Sequence, residues 1–310
     1  MNTRPQDIHT GTKIFLALLR PLQRLPLKFH YFWGKVFAFL CRKVLHYRRN
    51  TIITNISRSF PELKYAEIDA LAKDFYDHLG EIFAEAMWYG GCKGRPGRLH
   101  AQRLCVEKNI SALEEAYRES PSVMILTSHA GNWELIGGFF EFNYENPPEK
   151  QLIRQDDMCV VYKAQRSRFW DEFFMCNRLS CETDDYGGYT ESRNVLRYAV
   201  EHRKDHLAYI FITDQFPYMN TAKHEIPSFM NQKTYAVLGG AALASKMGMS
   251  VFYMGMERKE KGHYEMTFTE ITRDASSMTP QAIMEKFYAL LEEDIRKAPA
   301  NYLWSHRRWK

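Results

Sequence analysis

The sequence predicts an α/β protein: a mainly parallel, mixed sheet flanked by helices, preceded by an amphipathic, membrane-binding helical region. Three observations lead there. Short apolar runs of strand length alternate with helical patterns from residue 123 onward. The 310 residues are 45% hydrophobic and 14% aromatic, enough for a sizeable core and against disorder. The excess positive charge is confined to the first 50 residues, which hold ten Lys or Arg against the single acid Asp7. The remaining 260 carry 32 basic and 36 acidic side chains, so the charge asymmetry points to an anionic surface as partner. The chain divides accordingly into a basic segment, 1–50, and a catalytic-sized domain, 51–310.

Within residues 12–48 basic and apolar groups alternate: Ile14, Phe15, Leu18 and Leu19, then Phe29, Tyr31, Phe32, Trp33, Val36, Phe37, Phe39 and Leu40. The Pro21–Pro26 interval breaks this pattern into two helical pieces. Aromatic and cationic groups interleaved on a helix suit the lipid headgroup region, and neither piece reaches the roughly 20 apolar residues needed to cross a bilayer. The segment is expected to lie on a membrane. The plainer alternative is a helix packed on its own domain. No cleavable signal peptide is evident.

Residues 65–89 carry Ile68, Leu71, Phe75, Leu79, Ile82, Phe83 and Met87 at helical spacing, closed by Gly90-Gly91. After a Gly/Pro/Arg-rich connector the pattern changes. Val123–Thr127 is a buried-strand run followed by a helix from about Trp133; Met158–Tyr162 is a second, followed by a helix over 169–179. Residues 190–203 read as helical, Leu207–Thr213 as strand, Tyr235–Met247 as helix. Ser250–Met256 and Tyr264–Ile271 form a hairpin around Lys259–Gly262, and a last helix covers 280–297. Strand–helix alternation makes the sheet mainly parallel, with one antiparallel hairpin near an end. The six cysteines form no C-x-x-C pair and read as reduced and structural.

The chemistry-bearing string is Thr127-Ser128-His129-Ala130-Gly131-Asn132-Trp133-Glu134, placed where a buried strand ends. Ligands of open α/β sheets bind at the carboxyl ends of strands. His129 and Glu134 are five residues apart, about 140° around a regular helix, so a continuous helix would separate them. A turn at Gly131-Asn132 lets them meet. His129 would then take the proton of an acceptor hydroxyl, Glu134 would orient the ring, and backbone N–H groups near Gly131 and Asn132 would stabilise an oxyanion. A buried histidine satisfied by a carboxylate is the bland alternative. His202 and His206, at i, i+4 spacing, lack a third ligand for zinc. Asp184-Asp185 read as a solvated loop, and no Ser stands in a G-x-S-x-G elbow. The His306-Arg307-Arg308 run fits either phosphate contact or closure of the sheet edge.

Several strings occur in order: S-H-A-G-N-W-E at 128–134, V-Y-K at 161–163 with Asp171 and Arg178 trailing, F-I-T-D-Q at 211–215, P-S-F-M-N-Q-K-T at 227–234, and a closing Y-L-W-S-H-R-R-W-K. From about residue 15 to the end the chain resembles the late acyltransferases of lipid A biosynthesis, within the wider acyltransferase group marked by H-x4-D/E, with a Bacteroidota flavour that N-I-S-R-S-F-P at 55–61 shares. The resemblance implies an acyl-carrier-protein thioester as donor, a hydroxyl of an acylated glucosamine disaccharide as acceptor, and action without metal or cofactor at the cytoplasmic face of the inner membrane. It makes His129 and Glu134 the catalytic pair, places Asp214 and Gln215 near the site, and gives Arg178 an anionic substrate to hold. The family's Y-R is here Tyr162-Lys163, and Ser167-Arg168 replaces its Asn-Pro. A lysine is a point charge without the guanidinium fork, so Lys163, helped by Arg166, would recognise phosphate differently. The alternatives are the same chemistry on an aminolipid or lysophospholipid, and a non-catalytic lipid-binding protein. A nucleic-acid partner does not suit a basic segment interleaved with apolar groups.

Overall fold

The computed structural model describes residues 8–95, 97–144, 146, 150–183, 186–217 and 223–310. Asp184-Asp185 lies outside them. Four helices come first: α1 (Thr10–Gln23), α2 (Leu27–Phe39), α3 (Arg49–Ser59) and the long α4 (Tyr65–Gly90). A π-helical turn, Leu40–Val44, extends α2. The chain break falls at Arg24–Pro26, since α1 runs through Pro21 and stops only before Pro26. After α5 (Arg98–Gln102) come β1 (Cys105–Lys108), α6 (Ile110–Glu119) and β2 (Val123–Thr127). A 3₁₀ segment, Trp133–Glu141, follows β2 in place of a regular α-helix. Next are β3 (Met158–Tyr162), α7 (Arg168–Arg178), β4 (Tyr189–Glu191), α8 (Val195–Glu201), β5 (Ala208–Ile212), β6 (Lys223–Phe229), β7 (Gln232–Val237), α9 (Gly239–Met247), β8 (Ser250–Glu260), β9 (His263–Thr272) and α10 (Pro280–Lys297).

Seven strands form one sheet in the order β1-β9-β8-β2-β5-β3-β4, and β6 and β7 form a separate antiparallel pair. Within the large sheet only β8 and β9 are antiparallel, so the expected mixed, mainly parallel architecture holds. Central β2 is buried on both faces, as its unbroken apolar run requires. Met124 and Leu126 join a core with α9 and α10 residues such as Leu243, Phe287 and Leu291. Val123 and Ile125 face the opposite core, with Leu113 and Ala116 of α6 and Trp88 and Tyr89 of α4. Each fully buried Val, Leu, Ile, Met or Phe among them contributes about 1.5–3 kcal/mol.

Two expectations differ. Residues 190–203 begin as β4, paired to β3, and turn helical only from Val195. Tyr235–Val237 belongs to β7, and the helix there starts at Gly239. In both places apolar spacing alone does not separate a short strand from a helical turn.

The basic segment packs on the rest of the chain and also presents an apolar face outward. Leu16, Leu27, His30, Gly34, Ala38 and Cys41 are buried. Gly34 of α2 and Gly80 of α4 meet backbone to backbone, where a Cβ on either would collide with the other's carbonyl. On the outer side Ile14, Leu18 and Leu22 of α1 and Phe32 and Trp33 of α2 are all half-exposed or more. No helix among the described residues is long and apolar enough to cross a membrane.

Candidate active site

The site forms where β2 and β5 end side by side. Their parallel register pairs Thr127 with Ile212, and the Thr213 N–H donates to the Thr127 carbonyl. His129 and Asp214 each stand two residues beyond that last pair, so the register brings their side chains together. His129 Nδ1 lies 2.6 Å from Asp214 Oδ1. The Gln215 amide nitrogen lies 3.1 Å from the other ring nitrogen, Nε2. Asp214 is buried, whereas the His129 side chain keeps 15% of its surface exposed, enough to be reached. With Nδ1–H donating to Asp214, Nε2 carries the lone pair and accepts from the Gln215 amide.

A second ion pair adjoins this one. Arg178, at the end of α7, grips Glu134 with a two-pronged fork, Nε to Oε2 at 2.8 Å and Nη2 to Oε1 at 2.7 Å. The Trp133 indole N–H also donates to Glu134 Oε1 at 3.1 Å, and the Trp133 ring packs edge-on to His129 at 5.3 Å.

The family model of bacterial lipid A biosynthesis acyltransferases matches residues 6–310. The chain belongs to that family. No curated protein matches it. It is thus an acyltransferase acting on lipid A, and the geometry shows how this lipid A acyltransferase arranges its strand-end groups.

One expected role moves to another residue. Glu134 was expected to orient the His129 ring; the hydrogen bond to Nδ1 belongs to Asp214, and Glu134 spends its oxygens on Arg178 and Trp133. The reason is positional: the 3₁₀ segment turns Glu134 toward α7, while the sheet register delivers Asp214. Arg178, expected to hold an anionic substrate, is neutralised by Glu134. Asp171 accepts from the Gln165 N–H. Burial pushes the Glu134 carboxyl up, and the Arg178 guanidinium more than offsets this, leaving it below the ordinary carboxylate range. Asp214 follows the same logic: burial raises it, and the His129 ring beside it, with the hydrogen bonds from His129, holds it low.

The turn between strand and 3₁₀ segment is tightly held. Gly131 has φ +66°, and a Cβ there would lie 2.6 Å from Met256 Cγ, so only glycine fits. Its N–H donates to the Asn301 carbonyl, and the Asn132 N–H faces Met256 Sδ at 3.1 Å. Neither is free to hold an oxyanion, contrary to expectation. Asn132 caps the following segment, its Oδ1 accepting from the Glu134 N–H at 3.2 Å.

Lys163 follows the carboxyl end of β3, on the same edge of the sheet as His129, and with Arg166 is solvent-exposed. Arg308 is not available for phosphate: it is fully buried and donates to Thr234 Oγ1, the Tyr235 carbonyl and the Tyr288 hydroxyl. It closes the β6–β7 hairpin onto the core. His306 lies close to Asp214 and His129, and burial lowers it to about 4, keeping it neutral. His202 pairs with Asp205 and His206 stacks on Tyr117. Among the described residues no group of three His, Cys, Asp or Glu is placed to hold a metal.

Sequence reasoning missed Trp133 as a ligand of Glu134 and Glu85 as a ligand of Asn132. For Glu85 a signal existed: an acid on the stripe His78, Ile82, Glu85, Tyr89, all buried on α4.

Proposed function

We propose that His129 is the general base for transfer of a fatty acyl chain from an acyl-carrier-protein thioester to a hydroxyl of a lipid A precursor. The 2.6 Å contact between His129 Nδ1 and buried Asp214 carries this reading. Asp214 fixes the tautomer and stabilises the imidazolium that forms when Nε2 takes the hydroxyl proton. The alkoxide attacks the thioester carbonyl, the tetrahedral intermediate collapses, and the thiolate leaves with the proton returned by the imidazolium. An acceptor hydroxyl at Nε2 displaces the Gln215 amide, which is then free to donate to the developing oxyanion. The Glu134–Arg178 pair holds the wall of the crevice beside His129. Lys163 and Arg166, at its mouth, meet the acceptor's anionic groups.

The substrate lies in a bilayer, and the outward apolar face of α1 and α2 suits the cytoplasmic face of an inner membrane. Lys13, Lys28, Lys35 and Lys43 belong to the same segment and favour anionic headgroups. Trp170 of α7, 48% exposed, continues the apolar surface, because Phe15 of α1 packs on the neighbouring Phe169 at 5.2 Å.

The test pairs His129→Ala and Asp214→Asn with the unaltered chain, each assayed with acyl-carrier-protein and coenzyme A thioesters on a lipid A precursor. His129→Ala lowers kcat by about 100-fold or more, and Asp214→Asn by a similar factor, with folding retained. Mass spectra of lipid A from cells lacking the chain lose one acyl chain. Wild-type turnover by His129→Ala sinks the mechanism; a preference for the coenzyme A thioester sinks the donor.

A further inference from the structure

Glu85 stands on the inner face of α4 with its side chain wholly buried. Its carboxylate receives three hydrogen bonds from three separate parts of the fold. The Tyr31 hydroxyl of α2 donates to Oε1 at 2.6 Å. The Tyr264 hydroxyl of β9 and the Asn132 side-chain amide donate to Oε2, at 2.8 and 2.7 Å. No cation is among these donors, although Glu81, one helical turn away, is clamped by Arg258 at 2.5 and 2.9 Å. A buried carboxylate held only by neutral donors is expensive to keep. Glu85 also takes no part in the proton transfer proposed above. Its presence calls for another role.

That role is visible at Asn132. An Asn side chain has one accepting and one donating end. Because Glu85 accepts from Nδ2, the Asn132 Oδ1 is turned toward the Glu134 N–H, where it caps the 3₁₀ segment. On the other side of the same turn the Gly131 N–H is held by the Asn301 carbonyl. The turn that carries His129 at one end and Glu134 at the other is therefore anchored on both sides, and Glu85 is the anchor of the Asn132 side chain.

We propose that Glu85 is a positioning residue for acyl transfer: by fixing the orientation of Asn132 it sets the 128–134 turn and thereby the place of His129. The inference rests on His129 being the base. Loss of the anchor loosens the turn without touching the substrate, so it lowers kcat and spares KM.

The experiment uses the full chain and two readouts, hydrogen exchange across residues 128–135 and steady-state kinetics with an acyl-carrier-protein thioester and a lipid A precursor. Glu85→Ala accelerates exchange at the Glu134 amide about tenfold or more and lowers kcat at least tenfold, with KM within about twofold. Glu85→Gln recovers most of both losses, because its amide oxygen accepts from Asn132 and Tyr264 while its amide nitrogen donates to the Tyr31 hydroxyl. Should Glu85→Ala fail to fold, Asn132→Asp supplies the test: it removes the amide donor and sets a second acid against Glu85, which lowers kcat, and adding Glu85→Gln, whose amide nitrogen can donate to the new carboxylate, restores it. Unchanged exchange and turnover in Glu85→Ala, or no rescue of Asn132→Asp by Glu85→Gln, overturns the inference while His129→Ala stays inactive. Wild-type turnover by His129→Ala overturns the reading beneath it.

Discussion

Replacing Arg178 with Ala strands a buried acid, and the structure says how much that matters. Glu134 keeps only 11% of its side chain exposed and Arg178 25%, so water replaces the lost guanidinium poorly. The two-pronged contact at 2.7 and 2.8 Å disappears. Removing one partner of a buried pair costs about 3–5 kcal/mol, a shift of roughly two to nearly four powers of ten in the folding equilibrium. Glu134→Gln costs less, because the more exposed Arg178 can turn to solvent. Changing both to Gln and Met recovers most of the loss. The pH dependence separates this cause from lost packing. In the wild type the Glu134 carboxyl titrates below its unfolded value, so its contribution is present above the unfolded pKa and lost as pH falls through the folded one. Without Arg178, burial alone raises it above the unfolded value, so the variant gains relative stability as pH falls. The deficit of Arg178→Ala, measured by urea unfolding, therefore shrinks from pH 7 to pH 4. A deficit under about 1 kcal/mol, or one independent of pH, refutes the account.

Three other outcomes follow from the same structure. Gly131→Ala combines a positive φ with a collision against Met256 and lowers stability by about 2–4 kcal/mol; an unchanged urea midpoint contradicts the tight turn. Glu85, lifted to about 7 by burial, holds its proton more tightly folded than unfolded, so stability falls as pH rises from about 4.5 to about 7, by on the order of 3 kcal/mol. Glu81, Arg258, Tyr31 and Tyr264 surround it, and Glu85→Gln flattens that slope in unfolding curves taken across the range; a slope retained in the variant assigns it elsewhere. Leu18→Ser with Trp33→Ser weakens flotation with anionic vesicles at least tenfold and leaves thermal stability within a few degrees, whereas unchanged flotation argues that this face does not meet lipid.

The parts of the fold legible in the sequence are those whose signal is local. Val123–Thr127 and Met158–Tyr162 are continuous apolar runs bounded by polar residues, and Pro280 opens the last helix behind a Thr279 cap. The β6–β7 hairpin was not legible, because Tyr235-Ala236-Val237 leads straight into a helical run with no break in apolarity. β1 is four residues long, too short for a period to register. At the site, His129 at a strand end was readable from one string of eight residues. The resemblance places Asp214 near the site, but its pairing with His129 is not readable, since the two lie 85 residues apart and meet only through the register of β2 on β5. Glu134 is closer in sequence and was the natural expectation; the 3₁₀ geometry that turns it toward Arg178 leaves no mark in the spacing.

The seat of the 128–134 turn has a consequence for how the enzyme comes into being. Ala130 bridges to Tyr302, and Asn301 receives the Gly131 N–H while its amide holds the Met256 carbonyl. Asn55 of α3 in turn ties down the Trp304 and His306 carbonyls. A nascent chain that has emerged only through β9 possesses both His129 and Asp214, yet the ledge beneath His129 has not been made. The seat of His129 is therefore completed late in biosynthesis, when residues 301–306 dock between α3 and the sheet.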